Sequence, residues 1–103
     1  MYQIHLDSGE IRHENYSNDE ELEWTISADC PMVSLESTKF DTESGYDYVT
    51  IAGERYEGAV SISISVPDGT VVYFSSDGSE TYGGFVLEWS CEIGNSREVS
   101  SRT

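Results

Sequence analysis

The sequence predicts an all-β protein, an antiparallel β-sandwich, and three observations carry that reading. Short runs of Val, Ile, Thr and aromatic residues recur along the chain, which is strand composition. Gly, Pro, Asn, Asp and Ser cluster between these runs, where turns are needed. No segment keeps a helical period beyond a single turn: Asp19-Glu20-Glu21-Leu22-Glu23 is the candidate, and it is too short and too acidic to stand alone. With 103 residues, one core and one domain are expected, over 1–94, with a polar tail over 95–103.

The elements follow in order. Tyr2-Gln3-Ile4-His5-Leu6 and Trp24-Thr25-Ile26-Ser27 alternate as half-buried strands do, with turn chemistry at Asp7-Ser8-Gly9 and a loop over 15–19 between them. Pro31 restricts Cys30 before it and marks a break. A strand is expected over 32–36, a loop over 41–45 and a strand over 48–51. A tight hairpin is expected over 52–55, with Arg55-Tyr56-Glu57 returning. In Val60-Ser61-Ile62-Ser63-Ile64-Ser65-Val66, β-branched residues and serines alternate strictly, so one face is core and the other solvent. Pro67-Asp68-Gly69 suits a turn, and strands follow over 70–75 and 85–90, separated by a polar loop over 76–84.

Charge narrows the function. Twenty Asp and Glu against five Lys and Arg give a net charge of −15. That balance disfavours nucleic acid, whose phosphates need a basic stripe, and anionic membranes. No apolar run is long enough to span a bilayer, so no membrane insertion is expected, and no charged-then-apolar leader opens the chain. Metal ions and Lys- or Arg-bearing proteins are the partners such a field attracts. For most of these carboxylates, plain solubility is explanation enough.

Cys30 and Cys91 lie outside any C-x-x-C unit, and His5 and His13 are poorly spaced to complete a zinc set. A disulfide is expected, which would stabilise the fold by about 4 kcal/mol in the chain-entropy model and imply an oxidising compartment. Two buried free thiols are the alternative. The serines have no nearby histidine base, and no G-x-S-x-G or H-E-x-x-H pattern occurs, so no catalytic residue is assigned and the chain is read as non-enzymatic. Two polar loops carry hard oxygen donors suited to calcium: Asp41, Glu43 and Asp47 in one, Asp77 and Glu80 in the other.

In order along the chain, Asp7-Ser8-Gly9-Glu10-Ile11 with His13-Glu14-Asn15-Tyr16, then Trp24-Thr25-Ile26, then Phe40-Asp41-Thr42-Glu43 with Tyr46-Asp47-Tyr48-Val49-Thr50-Ile51, then Val66-Pro67 through Val71-Val72-Tyr73-Phe74-Ser75-Ser76-Asp77 and Gly84-Phe85, resemble the signatures of the CUB domain family. The resemblance runs from about Ser8 to Ser90. It implies a jelly-roll-like sandwich used outside cells for protein recognition. It further implies a calcium site made by Glu43, Asp47 and Asp77, with Ser79 and Glu80 adding oxygens, and an edge at Tyr46 and Asp47 that accepts a lysine or arginine. The chain departs from the family in its cysteines: none precedes Tyr46-Asp47, and Leu22 stands where one is common. The shortened loop before Asp47 leaves Asp41 as an alternative to Glu43.

Asn15-Tyr16-Ser17 is a glycosylation sequon. The leading expectation is an extracellular or secreted calcium-stabilised recognition module. The alternative is a metal-independent structural, adhesion or carbohydrate-binding domain, using edge strands or an aromatic face of Tyr2, Tyr56 and Tyr82.

Overall fold

The computed structural model describes residues 8–92. Eight strands occur there: β1 (Ser8–Glu14), β2 (Glu21–Thr25), β3 (Met32–Asp41), β4 (Tyr48–Ile51), β5 (Glu54–Tyr56), β6 (Ser63–Pro67), β7 (Val71–Ser75) and β8 (Gly84–Cys91). They form two four-stranded antiparallel sheets, β1-β8-β3-β6 and β2-β7-β4-β5, and no helix is present among the described residues. The pairing is nested: β1 pairs with β8, β2 with β7, β3 with β6, and β4 with β5. The fold is an all-β sandwich.

Alternation decides which residues enter the core. Ile11, Val33, Leu35, Phe85 and Leu87 come from the first sheet, and Val49, Ile51, Val72 and Phe74 from the second. Phe74 and Phe85 join the two sheets with ring centroids 5.4 Å apart, and Trp24 meets Phe85 edge-on at 5.7 Å. Each fully buried phenylalanine contributes roughly 2–3 kcal/mol. β8 is a central strand, flanked by β1 and β3, and its run Phe85, Val86, Leu87 and Trp89 is buried throughout.

Several boundaries differ from the sequence expectation. Ser8 and Gly9 open β1 and are not a turn. The glycine serves close approach, since a Cβ at Gly9 would lie 2.5 Å from the ring of its cross-strand partner Trp89. β2 begins three residues earlier than expected, using Glu21 and Glu23 as exposed edge positions and Leu22 as a core-facing one. Charges on an edge strand guard it against pairing with other chains, so the acidic stretch that looks helical is a protected edge. β3 continues to Asp41 across a bulge between Ser37 and Lys39. β6 opens only at Ser63, although Ser37 N–H still reaches the Ile62 carbonyl at 2.9 Å. β4 occupies the span expected for it, and its hairpin turns on Ala52 and Gly53, both at positive φ (50° and 85°), the geometry of a type I′ turn. The expected strand over 2–6, His5, Tyr2 and the tail over 95–103 lie outside the described residues.

Gly84 has the tightest backbone. Its φ is 91°, and a Cβ there would lie 2.2 Å from the His13 carbonyl oxygen on the paired strand. Gly84→Ala is therefore expected to destabilise the fold by about 3 kcal/mol, read as a lower urea midpoint at unchanged slope.

Strand directions sort the loops to two ends. Cys30 and Cys91 form the expected disulfide at one end, with Cα atoms 5.9 Å apart. There the turn after β6 is stitched in by Gly69 N–H to Ile26 O (2.9 Å), Asp68 N–H to Pro31 O (2.9 Å) and Ala28 N–H to Asp68 Oδ1 (2.7 Å). The loops 15–20, 42–47 and 76–83 gather at the other end; Glu43, Asp47, Asp77 and Glu80 lie on them, while Asp41 ends β3.

Candidate metal centre

Asp47 is the innermost residue of this end, and it is fully buried. The loop 42–47 delivers it by a tight turn in which Asp47 N–H and Tyr46 N–H both reach the Glu43 carbonyl (2.9 and 3.2 Å). Gly45 supplies the positive φ of 92° that this turn requires. Thr42 Oγ1 donates to the Asp47 carbonyl at 3.0 Å and fixes the exit into β4.

Both oxygens of the Asp47 carboxylate are held. The Tyr16 hydroxyl donates to Oδ2 at 2.5 Å, and Asp77 N–H donates to Oδ1 at 2.9 Å. The same hydroxyl accepts Glu43 N–H at 3.3 Å, while the Tyr16 ring packs edge-on against Phe74 at 4.9 Å. Tyr16 thus joins the loop 15–20 to the loop 42–47 through the core. Burial first, and then its bond to Asp47, push the Tyr16 hydroxyl well above its ordinary pKa. The third loop is stitched to the first: Ser76 N–H reaches Glu20 O, Glu20 N–H reaches Ser76 Oγ, and Asp19 N–H reaches Asp77 O, at 2.8 to 2.9 Å.

This framework brings Glu43, Asp47 and Asp77 together, each offering an oxygen within 4.8 Å of the others. Ser79 closes the rim, its hydroxyl donating to Asp77 Oδ1 at 3.2 Å and lying 3.5 Å from Glu43 Oε1. Desolvation raises the Glu43 pKa, and the charges of Asp77, Glu80 and Asp47 raise it further. Arg12, Lys39 and Arg55 are paired with glutamates elsewhere, so among the described residues no lysine or arginine compensates this cluster. A buried charge is ordinarily paired or bound to metal. Oxygens within 4.8 Å of one another are close enough that one cation, at calcium–oxygen distances of about 2.3–2.6 Å, reaches all three carboxylates with small side-chain shifts. The donor set is entirely hard oxygen, the kind that hard divalent cations such as calcium and magnesium take.

The residues expected from sequence divide clearly. Glu43, Asp47, Asp77 and Ser79 converge. Glu80 is exposed and acts on Glu43 through its charge, outside the three-carboxylate group. Asp41 points elsewhere, with Oδ2 3.4 Å from Gly83 N, so Glu43 and not Asp41 joins the cluster. Tyr46 is 60% exposed beside the site. Of the residues expected to make an aromatic face, Tyr56 packs against the core, Tyr82 is exposed on the loop 76–83, and Tyr2 lies outside the described residues. Tyr48 and Tyr73 lie 6.3 Å apart on the outer face of the second sheet, with the Arg55 guanidinium 3.9 Å above Tyr48. Sequence reasoning missed the bridging role of Tyr16, for which a lone aromatic in the polar run 15–19 was the available signal. Asn15 is exposed at this same end.

No protein-family profile and no curated protein matches this sequence. No helix among the described residues is long and apolar enough to cross a membrane.

Proposed function

We propose that the chain is a non-catalytic, extracellular recognition module of CUB-like type, in which one calcium ion orders the end loops for a protein partner. The observation that carries this is Asp47: a fully buried carboxylate grouped with Glu43 and Asp77, with no cation among the described residues to offset it. Calcium removes the repulsion within the group and ties the loop 42–47 to the loop 76–83. The edge beside it, with exposed Tyr46 and Glu80, then offers ring and carboxylate to a lysine or arginine of the partner; Asp47, expected from sequence to share that edge with Tyr46, is too deeply buried to do so. The disulfide is compatible with an extracellular setting, and the nested strand pairing supports a jelly-roll reading.

Calcium titration followed by thermal melting tests the proposal. Extracellular modules bind calcium with dissociation constants of about 10⁻⁴ to 10⁻³ M. At ten times such a value, stability rises by about 1.4 kcal/mol, or roughly 5–10 °C in Tm for a domain of this size. An unchanged Tm in millimolar calcium would overturn it. The pH dependence has a defined sign. Because the Glu43 pKa is raised, the metal-free native state holds its proton more tightly than the unfolded chain. Metal-free stability therefore falls as pH rises through that raised value, and calcium affinity weakens as pH falls through the same range.

A metal-independent carbohydrate-binding role would fall to the Tyr48–Tyr73 pair. Arg55 already covers the Tyr48 ring, which leaves less aromatic surface for a sugar and favours the calcium reading.

A further inference from the structure

The loop 42–47 is held from outside as well as from the core. Thr42 N–H reaches the Gly58 carbonyl at 3.0 Å, and Gly58 N–H returns to Thr42 Oγ1 at 3.0 Å. Glu57 Oε1 accepts the Gly45 amide at the loop's tip, at 2.5 Å. Glu57 Oε2 lies 3.2 Å from Arg55 Nε, and Arg55 itself stacks on Tyr48, the residue directly after Asp47. The stretch 55–58 therefore touches the loop before, within and after its turn. The Gly45 N–H bond is made to one carboxylate oxygen, and Arg55 holds the other oxygen so that the carboxylate faces the loop.

We propose that Glu57 is a positioning residue: through the Gly45 amide it holds the loop in the shape that brings Glu43 and Asp47 together, and so sets cation affinity from outside the three-carboxylate group. This rests on the calcium reading above. Preorganising a loop in its bound shape raises affinity by reducing the ordering that binding demands.

The test uses Glu57→Ala and Glu57→Gln, with calcium titration by calorimetry and Gly45 amide exchange measured in chelator. Glu57→Ala is expected to weaken calcium binding about tenfold and to speed Gly45 exchange in the metal-free protein by a similar factor. Glu57→Gln keeps an acceptor oxygen for the Gly45 amide but gives up the pairing with Arg55, and is expected to fall between wild type and Glu57→Ala on both readouts. Equal weakening by both variants would assign the effect to the lost charge acting at a distance, and would overturn the proposal. Wild-type Gly45 exchange in Glu57→Ala would overturn it as well. Should the wild-type protein bind no calcium, the calcium reading fails, while the exchange measurement still decides whether Glu57 holds the loop.

Discussion

Asp47→Asn is expected to remove the calcium response of the proposed site while leaving the chelated protein within about 1 kcal/mol of wild type. Two effects of the substitution oppose each other in the metal-free protein. Removing the charge relieves a buried anion of its desolvation and of its repulsion from Glu43 and Asp77. Against this, the amide offers one acceptor oxygen where the carboxylate offers two, so the bonds from Tyr16 and Asp77 N–H must rearrange. With calcium present the balance is expected to disappear, because the most deeply buried of the proposed ligands has lost its charge. Asp47→Ala differs: it strips the partner from the Tyr16 hydroxyl and from Asp77 N–H in a buried place, and costs about 2–3 kcal/mol even in chelator. Melting curves of the three proteins with calcium and with chelator separate the outcomes. A calcium-dependent Tm rise of wild-type size in Asp47→Asn would remove Asp47 from the site.

Replacing Cys30 and Cys91 together by serine is expected to lower stability by about 4 kcal/mol, a large part of what a domain of this size possesses. The bond closes a separation of 61 residues and joins the start of β3 to the end of β8. Urea unfolding of the oxidised protein and the double variant measures the loss, and a difference below about 1 kcal/mol would show that backbone stitching at that end suffices. The effect on calcium is expected to be small wherever the variant remains folded. The disulfide and the carboxylate group sit at opposite ends of the sandwich, and changes without shared partners act nearly independently.

How much of this was legible in the sequence depended on whether the signal was local. β4 and its hairpin were readable because Tyr48 to Ile51 alternates and Gly53 closes the turn. β6 was readable in period but not in length, since Val60 and Ser61 continue the alternation after the pairing with β3 has ended. β2 was displaced because propensity treats Glu21 and Glu23 as poor strand residues, whereas an exposed edge favours them. Gly9 was misread as a turn because its role is to admit the Trp89 ring, eighty positions along the chain. Glu43, Asp47 and Asp77 were named through the ordered run of motifs; spacing alone gave only two acidic loops. The Tyr16 bridge left only a lone aromatic in a polar run as its sign and the Glu57 contact left none, because each spans loops that only the tertiary fold brings together.

The nested pairing also orders events in time. The β4–β5 pair closes across two residues, whereas β1 and β8 pair across most of the described chain. Contacts of such long sequence separation slow folding, commonly to milliseconds or seconds in all-β domains, because chain closure comes before the contacts that reward it. An oxidised chain starts with β3 and β8 already joined beside the Val33–Cys91 pair, so the longest search is shortened before it begins. Refolding from urea should be faster with the bridge intact than after reduction, and the loops around Asp47, which need both sheets in place, should be the last to take shape.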